Sequence, residues 1–484
     1  MFTLSEILKA TGGRLERPFS GLERPFRGLA RPGSVERSMR GVSIDSRSVV
    51  PGQVFVAVKG EHFDGHDFLA EAARKGAACL VTARRGLSGI PSGPAVVVVK
   101  DTVRALSAIA HFHRMRFDIP LVAVTGSNGK TTTKDMIACA LSAGYRVLKN
   151  RGTRNNHIGM PLALLELRAS HQAAVLELGS NHPGEIAYLA AVCRPTIAVI
   201  TNIGPSHLEH FGSLSGVLKE KASLLKYLRR PAAAILNADD KMLVPLIKRR
   251  RAFGYGMSPE ADFIASGVKT TRRGVESLIG RGRKIPCRLK TIGEHNVYNG
   301  LAAAAVGRIL GIDYDRICAK LGGFDFPAGR MSLLKSDVTV FIDDTYNSNP
   351  LSFERAVEAL GTMTAVDRKV LVMGDMLELG PTSGEFHRLA GARAAGVCDA
   401  FVAVGELARA AAGAARDAGL AAEKVFCCAD SAQAAGILRD TLKVTHRDLV
   451  LVKGSRGMRM EKVFEFREFR GHDTLKVSCP RIIK

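Results

Sequence analysis

Short apolar runs recur along this chain, and most are followed by stretches whose apolar residues return every three or four positions. Runs at 121–124, 174–178, 197–201 and 233–236 read as buried strands with helices between them. An earlier set lies at 54–58, 79–81 and 95–99, with helices near 68–75 and 102–114; a later set lies at 369–373, 400–404 and 449–452. Alternating strands and helices predict parallel sheets whose strand C-termini open into ligand crevices. The fold class is therefore α/β, and 484 residues exceed what one core organises. Three domains are expected: a mixed α/β N-terminal domain over 1–118, a central parallel-sheet domain over 119–328 and a C-terminal Rossmann-like domain over 329–484. Pro327-Ala-Gly329 reads as the linker between the last two.

One stretch interrupts the alternation. Leu15-Glu-Arg-Pro-Phe-Ser-Gly21 is nearly repeated from Leu22 to Gly28, and Leu29-Ala-Arg-Pro-Gly33 resembles a third copy. Proline and glycine in each unit exclude a heptad helix, so about 15–38 reads as an exposed insertion without chemistry of its own.

The first strand of the central set carries the clearest chemistry. It stops at Gly126-Ser127-Asn128-Gly129, which leads into Lys130, Thr131 and Thr132. A helical pattern follows, with Met136, Ile137, Ala140 and Leu141 on one face and Gly144 as its expected C-cap. Strand, glycine turn, Lys-Thr and helix form a phosphate cradle, because backbone N–H groups and the helix N-terminus converge on anionic oxygens. Lys130 would neutralise the outer phosphates and the Thr131 hydroxyl would bind Mg²⁺. Val124 stands where the usual motif has its first glycine, so the turn is tighter. The alternative is an ordinary strand-to-helix turn that contains a lysine. The central domain is thus expected to be a P-loop ATPase domain.

Composition narrows the setting. Hydrophobic residues make up 46% and charged residues 24%, as in globular proteins. No apolar run approaches the ~18 residues that span a bilayer, so no membrane insertion is expected. The first ten residues lack a cleavage site and do not read as a secretory signal. Nine cysteines without C-x-x-C spacing read as reduced thiols of a cytoplasmic protein. The net charge of +23 is dispersed, apart from 248–251 and the N-terminal segment, and Trp is absent. A basic surface that attracts an anionic small substrate fits this better than nucleic acid, which is not an expected partner.

Further polar residues cluster at strand ends. Glu177 closes the run 174–178, where a Mg²⁺ ligand beside a phosphate loop should sit; the alternative is a cap on the helix beginning near Glu185. His207 and His210 follow the next strand without zinc spacing; His207 could help hold a second Mg²⁺, bind a substrate carboxylate, or be a satisfied loop residue. Asn296 and Asn299 precede an Ala-rich helix at 301–309, as caps or as amide donors to a base. Arg330 follows the linker, and Asp343-Asp-Thr-Tyr-Asn-Ser-Asn-Pro350 ends a strand at 338–342, too polar for plain turn chemistry.

These segments together resemble the Mur ligases, ATP-dependent amide-bond formers of bacterial peptidoglycan synthesis. The resemblance is carried by Asp45-Ser-Arg47, Thr125 to Thr132, Asn155-Asn-His-Ile-Gly-Met-Pro161, Glu177-Leu-Gly-Ser-Asn, His207 to Gly212, Gly293 to Asn299 and Asp343 to Pro350. Gly374-Asp-Met-Leu-Glu-Leu-Gly380 and Lys453-Gly-Ser-Arg-Gly-Met-Arg-Met-Glu461 complete it. The phosphate loop alone would also admit folylpolyglutamate synthetases, whereas the runs at 343–350 and 374–380 point to the family member that adds D-alanyl-D-alanine. The resemblance implies a monomer acting on UDP-N-acetylmuramoyl-tripeptide, D-alanyl-D-alanine, ATP and Mg²⁺. It puts Asp45, Ser46 and Arg47 in a uridine diphosphate pocket and Asn156 near the muramoyl substrate. Gly126, Ser127, Asn128, Gly129, Lys130, Thr131 and Thr132 would hold the ATP phosphates. Thr131 and Glu177 would bind one Mg²⁺, and His207 would stand near a second. Asn296 and Asn299 would approach the adenine, Arg330 and Asp344 would reach ATP, and Tyr346, Asn347 and Asn349 would line the dipeptide site. The family also carries a lysine, often carbamylated, that supports the second metal. Lys221 fits its place, although Ala222-Ser223-Leu224 departs from the commonest pattern and a solvated helix lysine is the alternative.

Overall fold

The computed structural model describes residues 2–19, 38–60, 62–86, 88–250, 252–271, 274–336, 339–364 and 366–465. Most of the heptapeptide repeat, with Arg251, Val338 and Cys479, lies outside them. Among the described residues are three sheets, of five, nine and six strands. They divide into two compact units, Met1–Leu121 with Asn150–Gln172 and Tyr188–Arg194, and Val122–Lys149 with Ala173–Ala187 and Pro195–Lys484. Loops of the nine- and six-stranded sheets, both in the second unit, bond to one another, as described below.

In the first unit the sheet runs Arg14–Arg17, Ala95–Val98, Cys79–Thr82, Val54–Val56, Val42–Ser43, parallel except for the first strand. That strand corrects the expected insertion, which was placed from about 15: Leu15 pairs with Val97. Its polar sequence hid it, since an edge strand keeps one side in water. The helix Thr102–Arg114 starts where Asp101 accepts from the N–H groups of Val103 and Arg104. It ends in a fully buried guanidinium. Arg114 Nε donates to Cys193 O at 3.1 Å, Nη1 to Phe117 O at 2.5 Å and Nη2 to Ile119 O at 3.2 Å.

In the second unit five strands form one end of the large sheet, in the order Ala233–Asn237, Ile197–Ile200, Leu121–Thr125, Ala173–Glu177, Val147–Lys149, the last at its edge. From Leu121–Thr125 the chain goes to the edge strand Val147–Lys149, returns to insert Ala173–Glu177 between the two, then crosses to the other side. The loops after Leu121–Thr125, Ala173–Glu177 and Ile197–Ile200 therefore meet at one switch point. Beyond Ala233–Asn237 the sheet continues through Phe253–Gly256 and Phe263–Thr271, then two antiparallel strands, Gly274–Ile279 and Ile285–Leu289. This antiparallel arm extends the parallel sheet expected for the central domain. Its last strand alternates buried and exposed residues, a one-faced pattern that breaks the solid apolar runs seen elsewhere.

The helix Lys130–Leu141 ends at Ser142, so Gly144 is not its C-cap; Gly144 closes the following turn by donating to Leu141 O at 2.9 Å. The Ala-rich helix spans His295–Ile309 and packs beside it, with Ala302 to Ala305 wholly buried. It begins earlier than expected, which places Asn296 and Asn299 inside it.

The six-stranded sheet runs Ser332–Lys335, Val340–Asp344, Asp448–Lys453, Arg368–Gly374, Ala400–Val404, Val425–Cys428, parallel except for its first strand. Val340–Asp344 extends beyond the expected 338–342, so Asp343 and Asp344 lie within the strand. The eight cysteines among the described residues are free thiols. No helix among them is long and apolar enough to cross a membrane.

Removing the Arg114 guanidinium would strand three carbonyls. Arg114→Leu is expected to destabilise the first unit by about 3 kcal/mol, since each buried unsatisfied acceptor costs roughly 1–3 kcal/mol. Thermal melting with wild type as reference checks this; an unchanged midpoint would contradict it.

Candidate active site

The glycine turn is held from behind by the loop after Ile197–Ile200. Gly126 has φ 145°, and a Cβ there would stand 2.0 Å from Thr201 Oγ1. Thr201 Oγ1 donates to Asn128 O at 2.5 Å, Ser127 N–H to Asn202 O at 2.9 Å and Asn128 N–H to Asn202 Oδ1 at 2.9 Å. Ser127 Oγ donates to Gly204 O at 2.8 Å. The N–H groups of Ser127 and Asn128 thus bond to this loop. Three N–H groups in the first turn of the helix from Lys130 have no intrahelical acceptor, the arrangement that favours an anion at a helix N-terminus. Gly129, at φ 76°, is also obligatory, because a Cβ would stand 2.6 Å from Asn299 Oδ1.

Lys130 folds back, with Nζ donating to Gly126 O at 2.9 Å and Ser127 O at 3.0 Å. Burial pushes its pKa down, while the charge of Glu177 works the other way. Glu177 is 1% exposed at its strand end. It is not the helix cap: Glu220 takes that role, accepting from Gly184 N–H and Ile186 N–H at 2.7 Å each. Lys221 is not a solvated helix lysine either. It is 1% exposed, and Nζ donates to Ser180 Oγ at 2.7 Å. Burial, helped by the charge of Lys130, lowers its pKa to about 7. His207 touches Glu378, whose carboxyl is held below its ordinary range chiefly by that histidine.

The six-stranded sheet contributes groups to the same loop. Arg330 Nη2 donates to Thr131 Oγ1 at 3.3 Å, and its guanidinium lies 3.8 Å from the centre of the Tyr346 ring. Asn349 and Asn128 exchange amide hydrogen bonds at 2.8 and 3.2 Å. Asn349 also caps the helix Pro350–Thr362 in a capping box with Ser352. Asp344 accepts from the buried Lys453 Nζ at 2.6 Å. Asn347 Oδ1 accepts from Ser348 N–H at 2.9 Å. Asn299 and Asn296 form a buried ladder beneath the cradle: Asn299 Oδ1 accepts from Thr133 Oγ1 at 3.0 Å, and Asn299 Nδ2 donates to Asn296 Oδ1 at 2.9 Å. Their amides brace the phosphate turn in this conformation.

With the geometry in place, comparison with known proteins separates the possibilities. Residues 38–114 match the Mur ligase family catalytic domain, 124–307 the Mur ligase middle domain and 329–456 the Mur ligase glutamate ligase domain. A UDP-N-acetylmuramoyl-tripeptide–D-alanyl-D-alanine ligase from Bacillus subtilis is 34% identical over 88% of this chain and 92% of its own length. The chain belongs to the Mur ligase family. Crystal structures agree: MurF from Acinetobacter baumannii superposes with a TM-score of 0.83 at 31% identity, covering 96% of this chain and 98% of that one. MurF from Thermotoga maritima, in complex with ADP, gives 0.79 at 30% identity, covering 88% and 96%.

In this Mur ligase the remaining anticipated residues lie in the first unit. Asp45 caps the short turn Ser46–Ser48 and grips the exposed Arg47 guanidinium at 2.8–3.2 Å, which holds its carboxyl down at about 2. Ser46 Oγ donates to Glu71 Oε2 at 2.9 Å. Asn156 Oδ1 accepts from Ile158 N–H at 3.2 Å and Gly159 N–H at 2.8 Å, just ahead of the helix Gly159–Leu164. Sequence reasoning gave no role to Asn202, Glu378 or Lys453. The last two lie in motifs that carried the resemblance; Asn202 sits next to a strand end and could have been found from that position.

Two expectations follow. Gly126→Ala should remove measurable ATP binding in calorimetry while the fold persists by circular dichroism; retained affinity would contradict the turn's role. Lys221 ionises at about 7 when folded, against 10.5 when unfolded, so the unfolded chain holds more protons between these values and stability rises with pH there. The penalty of burying Lys221 is complete below pH 7 and fades toward 10.5. Lys221→Met should therefore stabilise most at pH 6 and progressively less by pH 9 in urea melts. A pH-independent difference would contradict the burial of a titrating amine.

Proposed function

We infer that this Mur ligase joins D-alanyl-D-alanine to UDP-N-acetylmuramoyl-tripeptide while ATP is converted to ADP and phosphate. The observation that carries this reading is the alignment of the Bacillus subtilis relative, named for that reaction, across 88% of the chain. An Escherichia coli relative of the same name, 37% identical over 87%, supports it. The polar runs at 343–350 and 374–380 favour this acceptor over a single amino acid.

The chemistry needs no covalent enzyme nucleophile. The tripeptide's terminal carboxylate attacks the γ-phosphorus of ATP, ADP leaves and an acyl phosphate forms. The dipeptide amine then attacks the acyl carbon, loses a proton and expels phosphate. The protein's part is positioning and charge neutralisation. The first turn of the helix Lys130–Leu141 receives the phosphates, Lys130 swings from the loop carbonyls onto them, and Arg330 reaches them from its Tyr346 platform. Asp344, held by Lys453, is placed toward the nucleotide. Asp45, Ser46, Arg47 and Asn156 are assigned to the uridine nucleotide, and Tyr346, Asn347 and Asn349 to the dipeptide side.

The donors fit Mg²⁺. Thr131 and Glu177 offer hard oxygens. That suits an ion completed by phosphate oxygens and water. When bound, Mg²⁺ neutralises phosphate charge; Thr131 and Glu177 would hold one ion, and His207 would help hold a second, supported by Lys221 as a carbamate. The lowered pKa of Lys221 supports that modification, because a neutral amine is the form that adds CO₂. We assign the domains to 1–118, 119–328 and 329–484, acting in the cytoplasm as a monomer without nucleic acid.

Coupled ADP-release assays test the reading. Turnover should require D-alanyl-D-alanine and fail with L-lysine, meso-diaminopimelate or L-glutamate, and Lys130→Ala should lower it by about 10²–10³-fold or more. Turnover with a single amino acid would point to another Mur-type or folylpolyglutamate-synthetase-like activity. Nucleotide binding without acceptor-dependent turnover would point to a non-catalytic module.

A further inference from the structure

His207 and Glu378 come from loops on different sheets of the second unit. His207 follows the strand Ile197–Ile200; Glu378 follows Arg368–Gly374 in the run Gly374-Asp-Met-Leu-Glu-Leu-Gly380. Their side chains meet, Glu378 Oε2 against His207 Nδ1. Nδ1 is closed to solvent, and the carboxylate touches it without the alignment of a hydrogen bond. Both residues have left-handed backbones, φ 49° and 63°. Residues with side chains rarely adopt that conformation, and it persists where the surroundings impose it. The two loops also approach closely at Gly380, φ 65°, where a Cβ would lie 3.5 Å from Glu209 Cα. Two strained residues, one on each loop, thus aim their side chains at one another.

A carboxylate on one ring nitrogen has a known consequence for the other. It fixes the tautomer with the proton on Nδ1, leaves the lone pair on Nε2 and holds the ring's orientation. We propose that Glu378 is a positioning residue for His207: its carboxylate, closed against Nδ1, holds the proton on that nitrogen and presents Nε2 to the divalent cation beside ATP. The proposal rests on the reading of His207 as a metal ligand. It makes that cation site dependent on docking of the loop 374–380, so the six-stranded sheet contributes to a site whose ligands lie on the nine-stranded one.

Glycine at 378 separates this role from a structural one. It removes the carboxylate yet is at home at φ 63°, so Glu378→Gly should leave the melting temperature unchanged or raise it. Electron paramagnetic resonance of Mn²⁺ with the full-length protein and a non-hydrolysable ATP analogue counts bound ions. Wild type should bind two per chain. Glu378→Gly should weaken the second by about 10–100-fold while leaving the first ion and the nucleotide affinity intact. Glu378→Gln, which keeps an acceptor oxygen, should recover most of the loss, and in a His207→Gly background Glu378→Gly should add nothing. Unchanged second-ion affinity in Glu378→Gly, or an equal loss in the His207→Gly background, would overturn the proposal. A wild-type protein that binds only one ion would overturn the metal reading of His207 beneath it.

Discussion

The absence of a side chain at Gly126 is the constraint on which the site is built. With φ 145° and no Cβ, this residue lets the phosphate turn lie directly on Thr201, and the Thr201 hydroxyl then reaches Asn128 O. Ser127 and Asn128 bond to Asn202 in consequence, and the helix that begins at Lys130 is aimed with its N-terminus into the crevice. A single methyl group at position 126 would part the two loops.

Once that turn is set, the other elements attach to it by specific polar contacts. Asn299, inside the Ala-rich helix, braces Thr133 from below. Asn349 and Asn128 exchange amide bonds, and Arg330 joins Thr131 to the Tyr346 ring. These groups leave little room for rearrangement beneath the cradle. By contrast Lys130, bonded only to loop carbonyls, can exchange them for phosphate oxygens. Buried Lys221, bonded to Ser180, and Glu177 at its strand end supply the ionisable groups around the crevice.

Much of this was legible in the sequence, for identifiable reasons. Solid apolar runs such as Ala173–Glu177 and Ala400–Val404 are buried on both faces and so stand out. The glycine turn is legible because its backbone requirement is local. Strands that keep one side in water were missed: Arg14–Arg17 is almost entirely charged, and Ile285–Leu289 alternates. The roles of the site residues were less legible, because they depend on partners far away in the chain. Asn349 stood out only as part of a polar run; its cap on the helix Pro350–Thr362 and its bond to Asn128, which spans 221 positions, come from the structure. The burial of Lys221 could not be seen in a helix that also carries the exposed Lys219. Glu378 met no partner in its own motif.

The central claim is that the first turn of the helix Lys130–Leu141 receives a triphosphate. Crystals of the protein grown with a non-hydrolysable ATP analogue test it most directly. The account predicts β- and γ-phosphate oxygens within hydrogen-bonding distance of the N–H groups of Lys130, Thr131 and Thr132, with Lys130 Nζ moved from Gly126 O onto them. A triphosphate bound elsewhere, with Lys130 still on the loop carbonyls, would contradict it.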